Sequence, residues 1–243
     1  MAGLATALGS GAMTNSIEEL GNASTILAVG TNTTEAHPIV ALKVKEAARN
    51  GATLIVANPK EIELCRMADI FLQHKAGTDV PLLMGMAKVI VDEDLHDKDF
   101  IKNRCEDYDA FEKSLSAFDL DTVENITGVP KADIARAARA YAKETPSSII
   151  YCMGITQHAH GTDNVLATSN LALLTGNIGK PSTGVNPLRG QNDVQGACDM
   201  GCLPNVYPGY QKVTSPDARA KAEKAWGVEL NDQIGLTHTE IFD

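Results

Sequence analysis

Thr25-Ile26-Leu27-Ala28-Val29-Gly30 is an apolar run of strand length that stops at glycine and opens into a polar loop. A run of this length without polar alternation suits a strand buried on both faces. Pro38 stands where a first helical turn begins, and Val40, Val44, Ala47 and Ala48 repeat at helical spacing until Asn50-Gly51 closes the element. Thr53 to Ala57 is a second buried strand and Ala68 to Gln73 a third. Val80 to Val91 follows as a helix packing through Leu83, Met84, Ala87 and Ile90. A charged, mostly helical stretch runs from Asp92 to Lys143, and its helix Lys131 to Lys143 carries Ile134, Ala138 and Tyr141 on one face. Ser148 to Cys152 is a fourth strand, and Thr162 to Leu174 is helical again. The alternation predicts an α/β fold, a doubly wound, mainly parallel, Rossmann-like sheet covered on both faces, with ligand beyond the strand C-termini. Residues 1–191 are expected to form this domain. Residues 192–243 are expected to begin a second α/β domain, in which periodicity weakens and Ala218 to Trp226 is the clear helix.

The chain has 243 residues, 44% of them hydrophobic, enough to bury a sizeable core. A net charge of −10 without clustered Lys or Arg argues against a nucleic-acid surface. No segment reaches the length of a membrane span, and Met1-Ala2-Gly3-Leu4 lacks the basic flank and apolar stretch of a secretory signal. Cys65, Cys105, Cys152, Cys198 and Cys202 are odd in number and form no CxxC pair, which suits reduced thiols in the cytoplasm. Cys198 and Cys202, with no neighbouring His or second pair, make a weak metal site, and no metal ligand is assigned. His158 and His160 read as outlying or surface residues, and His37 as the residue that starts the helix at Pro38.

Polar loops follow the strands at Gly30-Thr31-Asn32, at Asn58-Pro59-Lys60, at Lys75 to Asp79 and at Met153-Gly154. From Asn186 to Tyr210, NPLRGQNDVQGACDMGCLPNVYPGY places Arg189 in a stretch of low helix and strand propensity. Its glycines allow close backbone approach, and Arg189, Gln191, Asn192 and Gln195 are groups that no apolar core accepts unpaired. Such a stretch holds a ligand or is a long surface connection that tolerates glycine.

This stretch resembles the molybdenum- or tungsten-containing formate dehydrogenases of the bis-molybdopterin guanine dinucleotide oxidoreductase family. So do GLATALGSGAMTNSIEEL, VGTNTTEAHPIV, IVANPKEIE, KAGTDVPLLMGMAKVI, CMGITQH and NLALLTGNIGKPSTGVNPLRGQNDVQGACDMG. The resemblance implies reversible oxidation of formate to carbon dioxide at a Mo or W centre held by two pterin guanine dinucleotides and a protein cysteine or selenocysteine. It implies Arg189 as the catalytic arginine that holds formate, a planar cation able to grip two oxygens, and Gln191 as a pterin contact in the same loop. Gly30 and Asn32 would admit the pyrophosphate, and Glu35 stands where an acidic residue is usual. Lys60 would meet phosphate or ribose, Gly77 and Asp79 the guanosine end, and Met153, Gly154 and Gln157 the pterin side. Asn58 departs from the aspartate common in relatives, so its ribose contact is in doubt. The metal ligand, its histidine and a 4Fe-4S cluster are expected before the segment that begins at Met1, where an export signal would also sit. A selenocysteine UGA codon misread as a stop would explain that start. The chain is thus expected to be a fragment, inactive alone, of a subunit that passes electrons to iron–sulfur or flavin subunits. Two alternatives stay open: another molybdopterin enzyme acting on nitrate, an arsenic oxyanion or a sulfur compound, and a non-catalytic scaffold derived from one.

Overall fold

Five segments pair into one sheet in the computed structural model, which describes residues 2–237 and 240–242. They are β1 (Thr25–Val29), β2 (Thr53–Ala57), β3 (Ile70–Leu72), β4 (Ser147–Tyr151) and β5 (Gly184–Pro187). Their order is β3-β2-β1-β4-β5 and every pairing is parallel, with Leu27 flanked by Ile55 and Ile149. Parallel neighbours need crossovers, which the helices supply. Within the unit that ends at Leu188 these are α1 (Ala2–Leu8), α2 (Thr33–Ala36), α3 (Pro38–Arg49), α4 (Asp79–Asp92), α5 (Lys98–Arg104), α6 (Tyr108–Ser114), α7 (Leu120–Thr127), α8 (Lys131–Lys143), α9 (Met153–Thr156) and α10 (Gly161–Leu174).

Side chains alternate across a strand, and here both sets are apolar. Leu27, Val29, Ile55, Ala57 and Ile149 face one core, shared with α4, α8 and α10. Ile26, Ala28, Leu54, Val56 and Ile150 face a second, covered by Val40, Val44 and Ala47 of α3. The doubly wound expectation is thus met by two separate cores. No helix among the described residues is long and apolar enough to cross a membrane.

β5 corrects the sequence reading, which placed Asn186 and Pro187 in a loop. Gly-Val-Asn-Pro has little strand propensity, but the position is an edge, where a proline without an N–H is tolerated. Asn186 is wholly buried. Its Nδ2 donates to Ser148 Oγ at 2.8 Å and its Oδ1 accepts from Asn15 N at 3.2 Å. α1 was also unforeseen; it lies against α10, and a Cβ on Gly3 would stand 2.9 Å from Thr162 O.

The strand order reverses between β1 and β4, and there two loops cross backbone on backbone. Gly30, at φ +56°, accepts from Gly154 N at 3.0 Å. A Cβ on Gly30 would meet Ile155 Cγ2 at 2.6 Å, and one on Gly154 would collide with Gly30 O.

A second unit begins at Arg189. It holds α11 (Val194–Asp199), an antiparallel pair β6 (Val206–Tyr207) and β7 (Gln211–Lys212), and α12 (Pro216–Trp226). α11 is a correction too, since the Gly- and Asn-rich sequence hid it. Asp193 at φ +50° starts it, and Gly196 lies where a Cβ would come 2.6 Å from Asp193 Oδ1.

Ahead of β1, the Glu19 side chain turns back onto Ser16. The Glu19 carboxylate accepts from Ser16 N and Oγ, both at 2.8 Å, from Asn15 Nδ2 at 3.0 Å and from Ser182 N at 3.1 Å. The Ser16 amide leads these donors in holding Glu19 at about 2, below its ordinary 4.5.

Two outcomes are expected. Because the folded Glu19 is depressed, its stabilisation is present above pH 4.5 and is lost as pH falls toward about 2. The melting temperature of Glu19→Gln should therefore lie below wild type at pH 7, and the gap should close with acid over that window. Gly154→Ala should cost about 1–3 kcal/mol, read as a lower melting temperature, because its obstacle is backbone that cannot rotate away.

Candidate cofactor and substrate site

Parallel strands put all five C-termini on one edge, so every loop singled out in the first unit emerges there. A reversal of strand order opens a crevice at that edge, and Gly30 and Gly154 mark it. Just beyond Gly30, Thr31 and Thr33 are buried, and the polar atoms Thr31 Oγ1, Asn32 Oδ1, Thr33 Oγ1 and Thr34 Oγ1 are each out of solvent without a hydrogen-bond partner. Asn32 occupies the cap position of α2 but makes no capping bond. Unsatisfied buried groups cost about 1–3 kcal/mol each, which sets these four consecutive residues apart as candidate ligand contacts. Glu35 is exposed on α2, and His37 starts α3 as read from sequence.

The loop after β4 is braced from several sides. His158 Nε2 donates to Gly154 O at 2.7 Å, and the buried Asn164 donates through Nδ2 to Ile155 O at 2.7 Å. A Cβ on Gly161 would strike Thr156 O. Met153 is half-buried, whereas Gly154 and Gln157 are exposed. Asn164 escaped the sequence reading because it sits inside an apolar helix. Cys152, at the strand end, is half-buried; burial pushes its thiol up, as it does for Cys65 and Cys105, so these three stay protonated rather than thiolate.

After β2, Asn58 Oδ1 accepts from Lys60 N at 3.0 Å, an Asx turn that spends the oxygen on its own loop and leaves its amide nitrogen to reach outward. Lys60 is exposed. After β3, Gly77 is exposed at φ +81°, but Asp79 is not on the loop surface. It is the first residue of α4, buried, with Oδ1 3.0 Å from Nε2 of the equally buried His74. Asp79 thus holds the loop shut from within, and His74, unmarked by any motif, is its partner. Lys75 N to Thr127 O at 2.9 Å and Thr78 Oγ1 to Lys75 O at 2.6 Å fix the rest of the loop.

In the second unit Arg189 is partly buried, and its Nη2 donates to Gln195 Oε1 at 2.8 Å. Gln195 Nε2 donates in turn to Asp199 Oδ1 at 2.8 Å and to the Tyr210 hydroxyl oxygen at 3.2 Å. Partial burial first, then Asp199 beside it, raises the Tyr210 hydroxyl, which therefore stays protonated. Gln191 is exposed, and its carbonyl accepts from Val194 N at 3.4 Å. Gly30, Asn32, Met153 and Gly154 thus gather at the reversal of strand order. Asn58, Lys60 and Gly77 lie along the same edge, and Arg189 and Gln191 belong to the second unit.

The chain matches the molybdopterin oxidoreductase family over residues 3–237. It is 48% identical over 241 residues to the F420-dependent formate dehydrogenase subunit alpha of Methanocaldococcus jannaschii, covering 99% of this chain and 36% of that protein. It is 47% identical over 229 residues to formate dehydrogenase H of Escherichia coli, covering 94% and 32%. Among solved structures it is similar to acetylene hydratase from Pelobacter acetylenicus, with a TM-score of 0.60 at 27% identity over 66% of this chain and 24% of that one. The chain spans about a third of the length of the curated relatives it matches. With the match running almost end to end, over a parallel sheet whose strand order reverses between β1 and β4, the chain belongs to the molybdopterin oxidoreductase family.

Proposed function

We propose that this chain is the part of a formate dehydrogenase catalytic subunit that binds molybdopterin guanine dinucleotide and holds formate. The observation that carries the reading is Arg189, a partly buried cation oriented by a neutral amide, in a chain whose relatives at 47–48% identity are named formate dehydrogenases.

The residues present fit the cofactor. The orphaned oxygens of Thr31, Asn32, Thr33 and Thr34 match what a pyrophosphate and its ribose would satisfy, since hydroxyls donate to phosphate and the amide can serve either way. In this reading Gly30 and Asn32 admit the pyrophosphate, and Glu35 and the Asn58 amide face ribose. Lys60 meets phosphate or ribose, and Gly77 leaves room for guanine over a loop that Asp79 keeps closed. Met153, Gly154 and Gln157 border the pterin, and Gln191 of the second unit is read, by itself, as a pterin contact.

Formate becomes carbon dioxide by giving up two electrons and a proton, and the molybdenum or tungsten centre, when bound, supplies the two-electron acceptor. Arg189 grips both carboxylate oxygens in a planar fork and keeps the anion oriented while its carbon loses hydrogen. Release follows from charge: carbon dioxide is neutral and loses the ion pair that held formate. A second pterin guanine dinucleotide, a 4Fe-4S cluster and iron–sulfur or flavin partner subunits complete this proposal, as does a cytoplasmic location, which the five free thiols suit. A different substrate on the same cofactor is the second reading, favoured by the likeness to acetylene hydratase, but that likeness is 27% identical against 47–48%.

Two measurements test this. In the metal-loaded enzyme that contains this chain, Arg189→Ala should lower kcat/KM for formate-dependent dye reduction by on the order of 100-fold or more. Arg189→Lys, which keeps charge and loses the fork, should fall between the two. Pterin and metal content should not change, and a loaded enzyme indifferent to formate in every form sinks the reading. Separately, Thr33→Val should raise the melting temperature of the cofactor-free chain, because it removes an unpaired hydroxyl, yet weaken GDP binding in calorimetry. A fall in both would mean that the hydroxyl serves the fold rather than a nucleotide.

A further inference from the structure

We propose that Gln195 is the positioning residue of Arg189, held in its one useful orientation by Asp199 and Tyr210; the proposal rests on the reading of Arg189 as the formate-binding cation. A guanidinium has only donors, so the Gln195 side chain must turn its oxygen toward Arg189 Nη2, at 2.8 Å. A carboxylate has only acceptors, so the same amide must turn its nitrogen toward Asp199 Oδ1, also at 2.8 Å. Flipping the amide would set N–H against N–H at one end and oxygen against oxygen at the other. The network therefore admits a single orientation.

Two features of the backbone preserve it. Gln195 and Asp199 are four residues apart on α11, so the helix presents them on one face. Tyr210 ends the turn between β6 and β7 and is left-handed at φ +58°, directly after Gly209 at φ +72°. Bulky residues keep such a conformation only where their surroundings fix it. Tyr210 is 42% exposed, so burial of its ring is a weak reason for the conformation, and its hydroxyl reaching Gln195 Nε2 at 3.2 Å is a better one.

The choice of an amide has a chemical consequence. A glutamate at this position would hold Arg189 equally well but would compete, as a second carboxylate, with an anionic substrate for the guanidinium. An amide orients the cation without adding a negative charge beside it. All four residues lie between positions 189 and 210, within one unit.

The test uses the metal-loaded enzyme carrying Gln195→Met, Gln195→Glu or Tyr210→Phe. Gln195→Met should raise the formate KM by about tenfold, the loss expected for one charge-assisted hydrogen bond, with kcat within about twofold. Gln195→Glu should raise KM further, and Tyr210→Phe should raise it by only about two- to threefold, because Asp199 still holds the amide. Melting temperature and pterin content should stay at wild-type values throughout. An unchanged KM in Gln195→Met, or losses that only track lost cofactor, overturns the proposal. Nitrogen-15 NMR of the Arg189 side chain decides the matter even if formate is not the substrate. A guanidinium less restrained in Gln195→Met than in wild type supports positioning, and equal mobility in both overturns it.

Discussion

The backbone hydrogen bond from Gly154 to Gly30 is the constraint on which the ligand edge depends. It joins the two strands between which the sheet reverses its order, and it allows no side chain at either crossing point. With the loops after β1 and β4 locked at the backbone, the polar side chains that follow Gly30 are aimed rather than left to wander. The four orphaned oxygens there are a standing cost. The two apolar cores beneath supply the rigidity against which it is borne.

The buried His74 and Asp79 pair does for the loop after β3 what the glycine contact does for β1 and β4. Neither residue needs to touch a ligand to matter, since both set the path of Lys75 to Thr78. Arg189 is treated the same way in the second unit, where a neutral amide, a carboxylate and a phenol dictate where the guanidinium points. In each case the group proposed to meet the ligand is set by one behind it.

Legibility followed burial. Thr53–Ala57 and Lys131–Lys143 match the expected elements end for end, because an apolar run and a helical stripe are what burial selects. β5 was hidden because Gly184-Val185-Asn186-Pro187 owes its strand conformation to Ser148 and Asn15, neither of which is near in sequence. α11 was hidden because its glycine and amide content points to a loop, and only the left-handed Asp193 shows where it starts. For the proposed site, residue type drew attention to Arg189 and the post-strand loops but left a ligand loop and a plain surface connection both open, and only the family resemblance gave Arg189 a role. Type alone could not show that Asp79 faces inward to His74, that four consecutive oxygens lack partners, or that Gln195 bridges cation and anion.

Asn15 donates its amide to Asn186, and Thr14 receives the amide of Val185, each across 171 residues. The segment ahead of β1 is therefore the clasp for the last strand of the sheet. A ribosome must release β5 before that clasp has anything to grip, so Thr14 and Asn15 wait through the synthesis of the other four strands. Closing so long a loop adds little to the entropic cost, which grows only with the logarithm of its length, but it sets an order of events. The far edge of the sheet is sealed by a segment that precedes all five of its strands.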